Sequence, residues 1–222
     1  TGNPTLDNVV AMRGTFNALF ALTSEGKLYT WGTGTYINSG AVANRTYATE
    51  VSLPSVGGVI PKMIGMTRGT PTGSQSYYLL ASDGRLFSMG ENSGKQLGDG
   101  TTTNRTTWVQ PQKITNQSGQ GTGALTNISW MSPGEHSTYS IGIGAINVLT
   151  NDRKQWAWGS NNYSMIGGTG SYIDPTYMPG NSTAANGLSI TDEVIAVETG
   201  GHTTINIKKG ENRFGYVGHY IH

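Results

Sequence analysis

Cysteine is absent from the 222-residue chain. That excludes disulfides, thiolate metal sites and a cysteine nucleophile. Charge is scarce as well. Asp, Glu, Lys and Arg together make up 12% of residues and the formal net charge is +1, so no basic face is expected to grip a phosphate backbone, and no nucleic-acid partner is expected. No apolar run reaches the roughly 18–20 residues of a membrane span. The longest candidate, Ile141 to Leu149, is interrupted by Gly142 and Gly144. There is no P-loop, dinucleotide fingerprint or nucleophile elbow. The acidic residues from Asp7 to Glu211 are scattered, with no pair placed to act as acid and base. The chain starts at Thr1 without Met or a signal-like segment, which reads as a processed chain or a piece of something longer.

What is abundant points the other way. Glycine contributes 33 residues, tyrosine 11 and tryptophan 5. Many tight turns between aromatic and β-branched segments fit a folded β protein better than a disordered one.

Four segments repeat. They are ALFALTSEGKLYTWG (Ala18 to Gly32), YYLLASDGRLFSMG (Tyr77 to Gly90), NVLTNDRKQWAWG (Asn147 to Gly159) and TTINIKKGENRFG (Thr203 to Gly215). Each reads as an apolar strand, a polar turn, and a second strand ending in a large side chain plus Gly. Gly26, Gly84 and Gly210 sit where a hairpin turn needs positive φ, whereas the third copy offers Asp152-Arg153. The fourth copy is read as closing at Gly215, shortened by one residue. A second glycine follows in phase, so that Gly32 leads to Gly40, Gly90 to Gly98 and Gly159 to Gly167. Asn-Arg-Thr recurs at Asn44 and Asn104.

Leu80 to Thr101 carries the pattern L-x-x-D-G-x-L-x-x-x-G-x-N-x-G-x-Q-L-G-x-G-T, which resembles the RCC1 (regulator of chromosome condensation) repeat. The resemblance covers most of the chain, with poor matches at Pro54–Gln75 and Gln112–Asn127. It implies an all-β fold, a β-propeller of RCC1-like repeats with four-stranded blades and about four blades in this chain. One domain over residues 1–222 is expected, with repeats near 9–54, 60–111, 128–179 and 194–222. The fourth copy runs out near His222, so the ring is expected to be completed by adjoining propeller sequence or another subunit at the C-terminal end.

The candidate chemistry is sparse. His136 and His202 follow Gly134-Glu135 and Gly200-Gly201 and read as blade-edge residues; His219 and His222 lack a nearby carboxylate pair. Gly167 to Asp174 resembles a Gly/Asp calcium turn, but occurs once. The sequons at Asn44, Asn104, Asn116, Asn127, Asn162 and Asn181 fit chance in an Asn/Thr-rich chain. No metal, cofactor or catalytic residue is expected. The remaining candidates form a recognition surface. Tyr36, Trp108, Tyr163, Tyr172 and Tyr177, with Trp130, lie outside the hairpins, where they either pack between blades or meet a partner. Arg45 and Arg105 would flank one rim, and the inserted segments Gly69–Ser76 and Thr115–Gly123 are expected to be binding loops. The expected role is non-catalytic recognition of a protein or glycan, in a bacterial surface protein or a phage virion or tail component, located outside the cell, at its surface or in the virion. The alternative is a soluble regulator resembling the family's exchange-factor or enzyme-inhibitor members.

Overall fold

The computed structural model describes residues 5–68, 75–134, 144–161, 164, 166–167, 170–181, 188–200, 203–211 and 214–218. Seventeen strands and one single-turn 3-10 helix at Gln117–Gly119 make up its regular structure. The strands fall into four antiparallel meanders. Blade 1 is β1 (Val9–Gly14), β2 (Ala18–Thr23), β3 (Leu28–Thr35) and β4 (Ala43–Val51). Blade 2 is β5 (Pro61–Arg68), β6 (Gln75–Ala81), β7 (Leu86–Gly90) and β8 (Arg105–Val109). A two-stranded ribbon, β9 (Gln112–Lys113) with β10 (Gly123–Ala124), precedes blade 3. Blade 3 is β11 (Ile128–Pro133), β12 (Ala145–Thr150), β13 (Gln155–Ser160) and β14 (Tyr172–Tyr177). Blade 4 shows β15 (Val194–Thr199), β16 (Thr203–Lys208) and β17 (Phe214–Gly218). The first strands β1, β5, β11 and β15 lie next to one another in turn. The fold is therefore an arc of a β-propeller.

The repeated hairpins are the two middle strands of each blade. Their closing glycines recur because geometry demands them. Gly32 pairs with Ala18 at φ +110°, and a Cβ there would lie 2.2 Å from the Asn17 carbonyl oxygen. Gly90 repeats this against Ser76, with the Gln75 oxygen at 2.1 Å. Any side chain would both adopt a disfavoured backbone and collide with the neighbouring strand. This test corrects the fourth copy. Its closing residue is Gly218, which pairs with Thr203 at φ 126°, not Gly215. The stretch from Lys208 to Gly218 is one residue longer than its counterparts rather than shorter. At the third turn Arg153 takes φ 64°, in the left-handed region that Gly26 and Gly84 occupy in blades 1 and 2.

All four first strands carry a register shift at the same place: Val9/Ala11, Pro61/Met63, Ile128/Trp130 and Val194/Ala196. The bulge interrupts period-2 alternation, which hides these strands from a pattern search.

Three cores lie between consecutive sheets. Phe20, Leu22 and Leu28 of blade 1 meet Tyr77, Leu79 and Met89 of blade 2, with Phe20 edge-on to Tyr77 at 4.9 Å. Tyr78, Leu80 and Leu86 of blade 2 meet Ile146, Val148 and Trp158 of blade 3. Leu149 and Ala157 of blade 3 meet Val194 and Val197 of blade 4. This last interface contains a polar contact in its interior. At the place of Phe20 and Tyr78 stands Asn147, whose Nδ2 donates to Thr199 Oγ1 and Thr204 Oγ1, both at 2.9 Å.

Candidate partner-binding surface

The first strands of the four blades line an axial cleft of about 580 Å³. Met12, Arg13, Ile64, Trp130, Ser132 and Glu198 contribute to its wall. Arg13, Gly65, Ser132 and Glu198 occupy the same register position on successive strands, opposite Phe20, Tyr78, Asn147 and Ile205. Ser132 Oγ donates to Glu198 Oε2 at 2.7 Å and accepts from the Thr199 amide at 2.8 Å, while Thr199 Oγ1 donates to the Ser132 carbonyl. These bonds hold the Glu198 carboxylate at the cleft wall. Trp130 stands nearby, 41% exposed, at the position just after the bulge.

Loops between the third and fourth strands form one rim, and their polar residues serve the loops themselves. In blade 2, Asn92 is fully buried. Its Oδ1 accepts from the Leu97 amide, and its Nδ2 donates to Asp99 Oδ1 and the carbonyls of Thr101 and Thr103. In blade 3, Asn161 accepts from the Ile166 amide and donates to the Gly167 and Gly170 carbonyls. Blade 1 has Gly34 there. The recurring Asn-Arg-Thr is explained by the same loops: Asn44 Oδ1 accepts from the Gly34 amide and Asn104 Oδ1 from the Asn92 amide. Arg45 donates to the Thr35 hydroxyl and to the Thr35 and Ala43 carbonyls. Arg105 Nε donates to Asp99 Oδ2 at 2.6 Å. Burial opposes the Asp99 charge, but hydrogen bonds from Thr101, Arg105 and Asn92 outweigh it and hold the carboxyl below its ordinary range. Both arginines therefore have internal work, whatever else they meet.

The aromatic candidates divide. Tyr36 is buried in the blade 1–blade 2 core, edge-on to Tyr77. Tyr177 is buried against Trp156. Neither lies on the rim: Tyr36 follows β3 directly and turns into the core, and Tyr177 ends strand β14, paired with Trp156. Trp108 is half-buried on β8, packed on the first core with its indole N–H donating to the Ser52 carbonyl at 2.8 Å. Tyr172, on β14, remains exposed. Tyr163 lies outside the described residues, as do all four histidines and most of the 69–76 insertion. The 115–123 insertion is docked rather than loose. Gln117 Nε2 donates to the Pro175 carbonyl and Gln117 Oε1 accepts from the Tyr177 amide, while Lys154 reaches Gln120. Asp174, the acidic end of the candidate calcium turn, is paired with Lys95 at 2.6 Å. Among the described residues no group of three His, Asp or Glu side chains forms a metal-ligand set, and no helix is long and apolar enough to cross a membrane. Arg13, Glu198 and the exposed Phe16 on the β1–β2 turn were not singled out by sequence; only the register of the bulged strands brings the first two into the cleft.

A family model of the Regulator of chromosome condensation (RCC1) repeat matches residues 83–141, spanning the Asn92 loop just described. Over those residues the chain is similar to an RCC1 repeat. It is 26% identical over 158 residues to the E3 ubiquitin-protein ligases HERC2 of Homo sapiens and Mus musculus, a match that takes in 71% of this chain and 3% of theirs. The chain thus spans a small fraction of those relatives. Among solved structures, human WBSCR16 matches with TM-score 0.61 at 18% identity, over 93% of this chain and 47% of its own. Prp20p from Saccharomyces cerevisiae matches with TM-score 0.62 at 17% identity, over 95% and 43%. At such identities the likeness shows the fold, an RCC1-like propeller of which this chain covers less than half.

Proposed function

We propose that this RCC1-like arc is a non-catalytic recognition module that takes a protein partner at the axial cleft. The observation that carries this reading is the exposed Trp130 standing in a concave wall with Arg13 and Glu198. Trp and Arg dominate binding energy where partners meet, and a carboxylate held in place by Ser132 supplies direction. Tyr172 and the rim loops extend the surface. Prp20p, of the same fold, was solved in work on its binding to Gsp1p and histones, which supports protein recognition as a use of the fold. The test is selection of a random displayed-peptide library on the unmutated chain, followed by titration against two variants. Binders should weaken at least about tenfold on Trp130→Ala, about 1.4 kcal/mol, and hold their affinity on the buried Tyr36→Phe. Equal affinity for the unmutated chain and Trp130→Ala would move the interface away from the cleft.

The setting proposed for the module is the bacterial surface or a phage virion, and so extracellular. Absence of cysteine, 12% charged residues and Thr/Asn/Gly-rich segments support it. Mass spectrometry of purified virions and of proteolytically shaved cells tests it. A regulator acting on a small GTPase is the second reading, supported by the likeness to Prp20p; faster release of fluorescent GDP from such a GTPase would favour it.

A further inference from the structure

Two rows of residues run across the axial wall. Ala11, Met63, Trp130 and Ala196 hold one register position on successive first strands, opposite Leu22, Leu80, Leu149 and Ile207. Arg13, Gly65, Ser132 and Glu198 hold the next, two residues further along each strand. The first row has one aromatic side chain and the second has one carboxylate, and they belong to adjoining blades. The Ser132 hydroxyl, at 2.7 Å from Glu198 Oε2, draws the blade 4 carboxylate towards blade 3. Trp130 lies on the same side of β11 as Ser132, roughly 6–7 Å back along the strand. Both Trp130 and Glu198 are exposed. Among the described residues Ser132 alone bonds the Glu198 side chain, so Oε1 keeps its capacity to accept.

We propose that the cleft takes an arginine side chain of the partner, its guanidinium lying over the Trp130 indole and bonded to Glu198. The inference rests on the reading of the cleft as the partner site and adds the residue recognised there. Charge complementarity carries it. An indole face attracts a cation through its ring quadrupole, and a carboxylate beside it supplies charge-assisted hydrogen bonds. Of the two cationic side chains arginine fits better, because its planar guanidinium stacks on aromatic faces and is more weakly hydrated than an ammonium. Met63, which shares the row and the cleft with Trp130, offers apolar surface to the aliphatic stem. The cations that the chain itself brings to this wall stand apart from Glu198. Lys62 donates to the carbonyl of Ser129, which precedes Trp130, and Arg13 is on β1, with β5 and β11 between it and β15. The opposite sign of Arg13 at the far wall leaves the cationic end of the cleft's preference with Glu198 alone.

Three displayed nonapeptide libraries test it on the unmutated chain. Arginine, glutamine or glutamate is fixed at the central position, and the other positions are randomised without arginine or lysine. The arginine library should enrich binders that Trp130→Ala no longer holds, and the other two should not. A selected peptide should lose about tenfold or more in affinity when its arginine is replaced by citrulline, which keeps the plane and drops the charge. On Glu198→Gln that loss should shrink by at least about fivefold, the coupling of a close charge pair. Trp130 and Glu198 are exposed, so unchanged far-ultraviolet circular dichroism is expected of both variants and separates lost binding from lost folding. Trp130-dependent binders drawn equally from all three libraries overturn the arginine while leaving the cleft as the partner site. So does a citrulline loss that Glu198→Gln leaves intact. Binders indifferent to Trp130→Ala, or no binder from any library, overturn the partner site and the arginine together.

Discussion

Blades 2 and 4 share a hairpin plan but not an environment. In blade 2, every residue of β6 and β7 is buried. In blade 4, β16 mixes buried and open positions and β17 buries Val217 alone, although Ile207 is as apolar as Leu80. A propeller strand is buried by the sheets on both sides of it, and its own sequence only makes that burial possible. Stability in such an array is a sum of blade and neighbour terms, so identical chemistry should be worth different amounts in the two places. Leu80→Ala, fully enclosed, is expected to cost about 2–5 kcal/mol. Ile207→Ala in the isolated chain should cost well under half of that, because part of its surface is already in water. Denaturant titration of both variants checks the contrast. Equal losses would mean that blade 4 is covered in solution.

The loops after the closing glycines extend the comparison. Blade 2 hangs its loop on Asn92 and blade 3 on Asn161, while blade 1 manages with Gly34 and the Arg45 side chain. Asn92→Ala would leave the buried Leu97 amide without its acceptor and cost about 2–3 kcal/mol, and Asn161→Ala should resemble it. Because Gln96 in the same loop accepts hydrogen bonds from both Tyr78 and Trp158 through its carbonyl, the loss should reach the blade 2–blade 3 interface. A blue- or red-shifted tryptophan emission in the folded Asn92→Ala variant would register it.

The hairpins were legible in the sequence because turn glycines and closing glycines are imposed by backbone geometry, and geometry repeats. Gly32 and Gly90 recur for the collision that a Cβ would cause. The fourth copy was misread because Phe214-Gly215 imitates the aromatic-glycine closure, while pairing with Thr203 selects Gly218. The first strands fall where the repeats were expected to begin, near 9, 60, 128 and 194, but were not read as strands, because a bulge in each breaks the alternation on which strand patterns depend. That omission also hid the cleft, since Arg13 and Glu198 share a register only after the bulge is counted. Tyr36 and Tyr177 were placed among loop aromatics for lying outside the hairpins, but Tyr36 turns into the core directly after β3 and Tyr177 belongs to the fourth strand β14, whose alternation Asp174 and Pro175 obscure. Asn44 and Asn104 recur visibly; that they accept amide protons from Gly34 and Asn92 required coordinates.

The turns of blades 2 and 3 differ in a way that can be repaired. Gly84 and Arg153 both occupy positive φ, at 84° and 64°. A side chain in the left-handed region costs about 1 kcal/mol relative to glycine. The ion pair that Arg153 makes with Glu193 is close to half exposed on both sides and offsets little of that cost. Arg153→Gly is therefore expected to raise stability by about 0.5–1 kcal/mol, read as a higher denaturation midpoint with unchanged slope. A loss on substitution would show that the pair with Glu193 contributes more than surface pairs usually do.

The smallest expected effect separates the loops of blades 2 and 3 by pH. Asp99 belongs to the Asn92 loop, and no carboxylate takes part in the bonds made by Asn161. Burial disfavours the Asp99 charge, yet bonds from Thr101, Arg105 and Asn92 hold its folded-state pKa below the ordinary value of 3.8. Between the two values the unfolded chain binds the extra proton and the folded chain does not. The contribution of Asp99 is thus fully present above the ordinary aspartate range, and it is lost as pH falls through the lowered folded-state value. Stability of the unmutated chain should decline in that acid window. Asp99→Asn should be less stable at neutral pH, since Arg105 loses its charged partner, and should show a shallower decline on acidification. Denaturant midpoints measured from neutral pH down to about pH 3 give both slopes. Parallel slopes for the two proteins would mean that other carboxylates govern the acid response and that Asp99 is held no more tightly folded than unfolded.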